Sequence, residues 1–324
     1  LKLVQVLKKR NWRFTTLLFI TAISLLIISS NVKLTSGTMP KILVIGIDAM
    51  DPHLMEKMMG EGKLPNFKKL TYSRLETTIP PETPVAWSAA ATGSNPGKYG
   101  IFDYLGRDPQ TYMPKLNLVD HSSGTYKSAM RGIPFWRITS QAGIPTTVIR
   151  WPLTFPPEKV NGKMLSGLGV VDIRGFLNGY SFYTSENMTK KEGDVGRLIK
   201  VNHSPLIKTV LYGPLVKKGL ETKEIEKPMQ IRLENSSAVI IIDEKEYTLR
   251  VGEWSEWIHT KFRIDFLTSL SGIFKAYLLE TEPQFNMYIT SIQIDPEDPI
   301  VDITYPREYG KELVNEIGTF YTLG

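Results

Sequence analysis

KILVIGIDAMDP, residues 41–52, carries an apolar run straight into Asp48, and PPETPVAWSAAATGSNPGKYGIFDY follows at residues 80–104. The unbroken run KILVIGI predicts a strand buried on both faces. Asp51 then Pro52 is an N-cap followed by proline at the first helical position, so HLMEKMMGEGK should continue as a short helix ended by Gly60 or Gly62. PNFKKL (65–70) predicts a second short helix and RLETTI (74–79) a strand. Thr83, Pro84 and Gly93 repeat the grammar of cap, proline and terminal glycine, which predicts a helix from Pro84 to Thr92 with Thr83 as its N-cap. PFWRITSQAG (134–143) reads as a helix and TTVIR (146–150) as another buried strand. This alternation predicts an α/β fold with a doubly wound, mostly parallel sheet, whose ligands sit beyond the C-terminal ends of its strands.

Further out, the texture changes at about residue 205. QIRLENSSAVIIIDEKEYTLRVGEWSEWIHTKFRIDF (230–266), GIFKAYLLE (272–280) and QFNMYITSIQI (284–294) are β-branched and aromatic runs broken by turn residues. They predict an antiparallel β-rich insertion over 205–300, interrupting an α/β domain that occupies 39–204 and resumes at 301–324 with the helix PREYGKELVNEIG.

The net charge of +6 suggests nucleic acid until it is located: Lys2, Lys8, Lys9, Arg10 and Arg13 supply +5, and the remaining body carries +1. A basic tip says nothing about the partners of the body, and no nucleic-acid recognition is expected. Cysteine is absent, which excludes disulfides, thiolate zinc sites and a cysteine nucleophile.

FTTLLFITAISLLIISS, residues 14–30, follows the tip, uncharged and mostly apolar. As a helix it reaches roughly 25 Å, a little short of the hydrocarbon core but long for a signal-peptide core. Residues 1–35 therefore read as a basic tip and membrane anchor, with a removed signal peptide or a buried helix as the other readings. The positive flank should stay cytoplasmic, placing the main domain outside as a single-pass protein.

Asp48, after a buried strand, would present its carboxylate at the ligand edge, where it can bind a cation or simply form a turn. Thr83 at a helix N-terminus is either a capping hydroxyl or a nucleophile aimed at a phosphate held by the helix dipole. Arg150 and Trp151 follow the strand TTVIR, so Arg150 could hold a phosphate or pair with an acid. Asp172 and Arg174 read as an internal ion pair. Trp254 and Trp257 could stack on a sugar or base, or pack a sheet face.

VIGIDAMDP and TPVAWSAAATGSNPGKYGIFDY together resemble the nucleotide pyrophosphatase/phosphodiesterase branch of the alkaline phosphatase superfamily. The likeness rests on strand–Asp, then Thr83, Thr92, Gly93, Pro96, Gly100 and Ile101, and runs more loosely through PLTFPPEKVNGKMLSGLGVVDIRG (152–175) to YTLG (321–324). It implies an alkaline-phosphatase-like fold and a metal-dependent phosphoester hydrolase using two divalent ions, typically zinc. Asp48 and Thr83 would ligate one of them, and Thr83 would form a covalent phospho-threonine. Relatives carry an Asn where this chain has Tyr104, whose hydroxyl would take over its contact with a phosphate oxygen or whose ring would pack instead. The family's two further Asp and three His have no counterparts here. His53, His121, His203 and His259 lack the required context, and the Asp120-His121 dipeptide comes too early. The resemblance thus covers the N-terminal portion of such an enzyme, expected to be inactive or weakly active alone. The alternative is a non-catalytic, membrane-anchored surface module or relic whose Trp-bearing β region binds a glycan or partner. A sulfatase fits less well, because TPVAW holds neither the Cys or Ser nucleophile nor the Arg of that family.

Overall fold

A computed structural model describes residues 41–121, 125–190, 194, 196–218 and 221–323. The basic tip and the apolar segment 14–30 lie outside these residues. Among the described residues no helix is long and apolar enough to cross a membrane. The chain divides between Met55 and Glu56 into two compact units.

In the first unit, residues 41–47 form no strand, and every residue from Lys41 to Met50 is exposed, in place of the expected buried strand. An apolar run has strand propensity, but a strand exists only through ladder hydrogen bonds to a neighbour. The cap at Asp51 does form: its Oδ1 accepts the backbone N–H of His53 at 2.7 Å and of Leu54 at 3.1 Å. It opens helix α1, Pro52–Gly60.

The second unit begins with two further departures from the local propensities. PNFKKL contracts to a single 3-10 turn, Phe67–Lys69. RLETTI forms no strand and leaves Leu75 94% and Ile79 92% exposed. Helix α2 follows at Thr83–Thr92 and the one-turn α3 at Pro96–Tyr99. Gly93 ends α2 in the left-handed conformation (φ 59°), its N–H donating to the Ala89 carbonyl, a geometry that a side chain would strain. The Tyr99 hydroxyl donates to Val85 O at 2.8 Å, fixing α3 beneath α2.

Two small hairpins come next, β1 (Leu105–Arg107) with β2 (Pro114–Leu116) and β3 (Val119–Asp120) with β4 (Lys127–Ser128). Helix α4 (Phe135–Gln141) leads into β5 (Thr146–Trp151), which pairs in parallel with β6 (Gly162–Ser166). Strands β7 (Ser181–Thr184) and β8 (Arg197–Lys200) form the other parallel pair. The long ribbon β9 (Leu206–Lys218) and β10 (Glu221–Glu234) then joins β11 (Ser237–Ile242) and β12 (Lys245–Arg250) in one antiparallel sheet. It is followed by β13 (Ile258–Arg263), β14 (Ser269–Phe274), β15 (Ala276–Glu280), β16 (Asn286–Ile289), β17 (Gln293–Ile294), β18 (Thr304–Tyr305) and helix α5 (Tyr309–Ile317).

The molecule is thus mixed α/β, mostly strands, in several sheets, as suits an alkaline-phosphatase-like domain. The expected doubly wound sheet is not seen among the described residues: apart from β5–β6 and β7–β8, the strand pairings are antiparallel. Sheet order β15-β16-β7-β8 joins strands from both sides of residue 205, and β18 returns to pair with β6. The largest core, including Phe155, Tyr183, Ile231, Phe262, Phe274 and Met287, draws on β7, β10, β13, β14 and β16 and on the segment between β5 and β6. A smaller core of Ala91, Trp136, Val148, Val160 and Met164 seats α2 and α4 against β5 and β6.

Candidate active site

Thr83 is the first residue of α2 rather than its N-cap, one position on from the expectation. Glu82 holds the cap position in an extended conformation, without a side-chain cap bond, and its carbonyl accepts the N–H of Val85 at 3.0 Å and of Ala86 at 2.9 Å. Pro84 explains the start, because its fixed φ suits the first turn and its missing N–H needs no partner there. Thr83 is half-buried. The later hydroxyls of α2 turn back on their own helix: Ser88 Oγ donates to Pro84 O at 2.6 Å and Thr92 Oγ1 to Ser88 O at 2.7 Å.

Aromatic packing anchors α2 to the C-terminal end of β5. Trp87 and Trp151 meet edge to face at 5.0 Å, and the Trp151 indole N–H donates to Trp87 O at 3.3 Å. At that same end Arg150 adopts φ 54°, and a Cβ on Gly167 would come within 2.4 Å of the Arg150 and Trp151 carbonyls. Only glycine lets the chain pass there. The Arg150 guanidinium donates from Nη1 to Tyr321 O and from Nη2 to Leu323 O, each at 2.7 Å, so it holds the segment after α5 rather than an acid.

In the first unit, Asp48 sits exposed in a turn with Ala49, whose φ is 50°. Tyr104 is half-buried and packs on the cluster of Val85, Tyr99, Ile101, Leu118 and Leu153. His121 stacks on Tyr126 at 4.2 Å, at the edge of an open cavity of about 530 Å³ that Arg174 and Phe176 also line. The expected Asp172–Arg174 ion pair is replaced. The Arg174 guanidinium meets Glu224 at 3.0 Å, while the buried Asp172 accepts the backbone N–H groups of Arg174 and Phe176 at 2.9 Å each. Burial pushes the Asp172 carboxyl up, and those backbone bonds oppose it. Trp254 is half-exposed beside Tyr277 and Tyr288, whereas Trp257 lies under the Lys275 ammonium and against Tyr321.

One grouping escaped the sequence reading. His259, Asp295 and Glu297 each offer a ligand atom, all within 4.8 Å of one another. It contains neither Asp48 nor Thr83. A carboxylate and a hydroxyl are the right kind of donor for the hard or borderline ions of a phosphoester-cleaving centre, but two oxygens fall short of a complete coordination shell.

The sequence profile of the type I phosphodiesterase / nucleotide pyrophosphatase family matches residues 42–256. The chain belongs to this family, a member of the alkaline phosphatase superfamily. No curated protein and no solved structure matches it. The matched span includes Asp48, Thr83, Tyr104 and Arg150, and ends before His259.

Proposed function

We propose that the chain acts on phosphoesters, weakly by itself, with Thr83 as the nucleophile and Asp48 as a metal ligand. The observation that carries this reading is the place of Thr83: the opening residue of a proline-started helix, inside the span that matches a phosphodiesterase family. The helix dipole puts positive potential beside that hydroxyl, where the phosphoryl group of a substrate gains most. Asp48 and Thr83 would hold a divalent ion, with zinc as the working candidate and a second ion completing the pair. When bound, such an ion stabilises negative charge on the phosphoryl oxygens and eases loss of the hydroxyl proton.

The chain's own part is then simple to state. Thr83 Oγ attacks phosphorus in line, its proton passing to solvent water, and the bond to the leaving alkoxide breaks, leaving the phosphoryl group on Thr83. Water then attacks the same phosphorus, the P–O bond to Thr83 breaks, and a proton from that water restores the Thr83 hydroxyl as the hydrolysed product leaves. Tyr104 and Arg150 are the proposed contacts to phosphate oxygens. For Arg150 this uses the donors of its five that the Tyr321 and Leu323 carbonyls do not occupy. Hydrolysis of bis(4-nitrophenyl) phosphate by the zinc-loaded protein, compared with Thr83→Ala, tests the reading. Equal rates would sink it.

A further inference from the structure

In the three-stranded sheet β13-β14-β17, His259 lies opposite Ile273 and Ile273 opposite Gln293. Residues opposite one another in a ladder share a face, as do alternate residues along a strand. His259, Gln293 and Asp295 are therefore brought to one face, with Asp295 just past the end of β17. Asp295 is only 7% exposed. Its Oδ2 takes a hydrogen bond from His259 Nδ1 at 3.1 Å, and its Oδ1 accepts the N–H of Glu297 at 2.9 Å. The second bond folds the turn Asp295-Pro296-Glu297 back, which brings the Glu297 carboxylate to the same place.

Charge is out of balance here. Among the described residues the ion-pair partner of Asp295 is His259, and no Lys or Arg pairs with Asp295 or Glu297. The lysine next along β13 but one, Lys261, faces Asp298 at 3.5 Å, and Asp298 also takes the Ser271 hydroxyl at 2.7 Å. Two carboxylates and one imidazole thus converge, one carboxylate buried, and the Lys245 ammonium, near enough to act on His259, pairs with neither carboxylate. A neutral imidazole and one backbone N–H offset a buried carboxylate only in part. The spacing suits a metal: two ligands of one tetrahedral zinc stand roughly 3.3–3.5 Å apart, close to the His259–Asp295 separation.

We propose that His259, Asp295 and Glu297 form a divalent-cation site that clasps β13 to the turn after β17. One imidazole with two carboxylates favours zinc or manganese over calcium, which prefers a shell of oxygens. The site shares no residue with the Asp48 and Thr83 pair, lies beyond the family match, and does not depend on the phosphoesterase reading.

The test is a calorimetric titration of zinc chloride into metal-stripped Asp48→Asn protein, a background in which binding at the proposed active site is weakened and separates from a tighter event elsewhere. The expected result is one zinc per chain and a rise in the melting temperature on zinc addition. Manganese should compete, and calcium at the same concentration should not. His259→Gln should abolish both effects. Glu297 is exposed, so Glu297→Gln should keep the fold, shown by an unchanged circular dichroism spectrum, while weakening zinc about tenfold or more. Absence of zinc binding by the folded Asp48→Asn protein overturns the site, as does affinity unchanged in both His259→Gln and Glu297→Gln.

Discussion

A hydroxyl on the first residue of a helix stands at the positive end of the dipole, and Thr83 holds that position in α2. Thr83→Ala is accordingly expected to lower turnover of an aryl phosphodiester by about a thousandfold or more, leaving the unfolding midpoint nearly unchanged. Asp48→Asn should weaken zinc uptake and lose activity as a consequence, so that excess zinc rescues it in part while Thr83→Ala stays inactive. Assays across a zinc series separate the two. A different residue governs alkaline stability. Tyr183 is fully buried, donates to Val210 O at 2.8 Å, and has its phenol raised well above the ordinary value by burial. Above about pH 10 the unfolded chain loses this proton while the folded chain keeps it, so stability falls by about 1.4 kcal/mol per pH unit. Below that pH the group has no such effect. Urea unfolding between neutral and strongly alkaline pH should show this slope in the wild type and a shallower one in Tyr183→Phe; identical slopes would remove Tyr183 from the account.

Elements differ in how far their own residues specify them. Helix α2 was legible because Pro84 and Gly93 act locally, each through its own backbone. The strand character of β11 and β12 was legible too, though not the hairpin that joins them, whose turn residues Asp243 and Glu244 take φ 53° and 61°. The run at 41–47 has equal strand propensity and forms none, since a ladder needs a partner that no local pattern supplies. The His259, Asp295 and Glu297 group was hidden for a related reason. Its members meet only through the register of β13 and β17 across β14, and no motif spans that separation. The start of α2 was misplaced by one residue because Thr83 and Glu82 both precede the proline, and only the carbonyl that accepts the first helical bonds decides between them. Packing of α4 offers a direct test at this scale. Trp136 is fully buried at the junction with β5, and its indole N–H has no partner. Trp136→Ala should cost about 3–5 kcal/mol through the cavity it leaves. Trp136→Phe should cost much less, about 1 kcal/mol, because it also removes an unsatisfied buried donor. Comparable losses in urea denaturation for both variants would contradict that reading.

At the scale of the whole molecule, family membership rests on the match over residues 42–256; the antiparallel pairings among β9 to β17 accord with the β-rich texture, whereas those of β7 with β16 and β6 with β18 were not anticipated. The mixture of α and β was readable from the alternation itself; the pairing partners of each strand were not, because β7 and β16 meet across most of the β-rich region. The proposed membrane anchor at 14–30 makes a separate prediction. Protease added to intact cells should digest the main domain and spare the basic tip, whereas a protected domain would place it on the cytoplasmic side. The central claim, that Thr83 carries the phosphoryl group, is tested most directly by acid-quenched mass spectrometry after incubating the zinc-loaded protein with bis(4-nitrophenyl) phosphate. The account predicts a phosphoryl adduct, still bearing its remaining ester, on the peptide that contains Thr83 and on no other. Ester hydrolysis at the same rate in Thr83→Ala, or an adduct on a different residue, would contradict it.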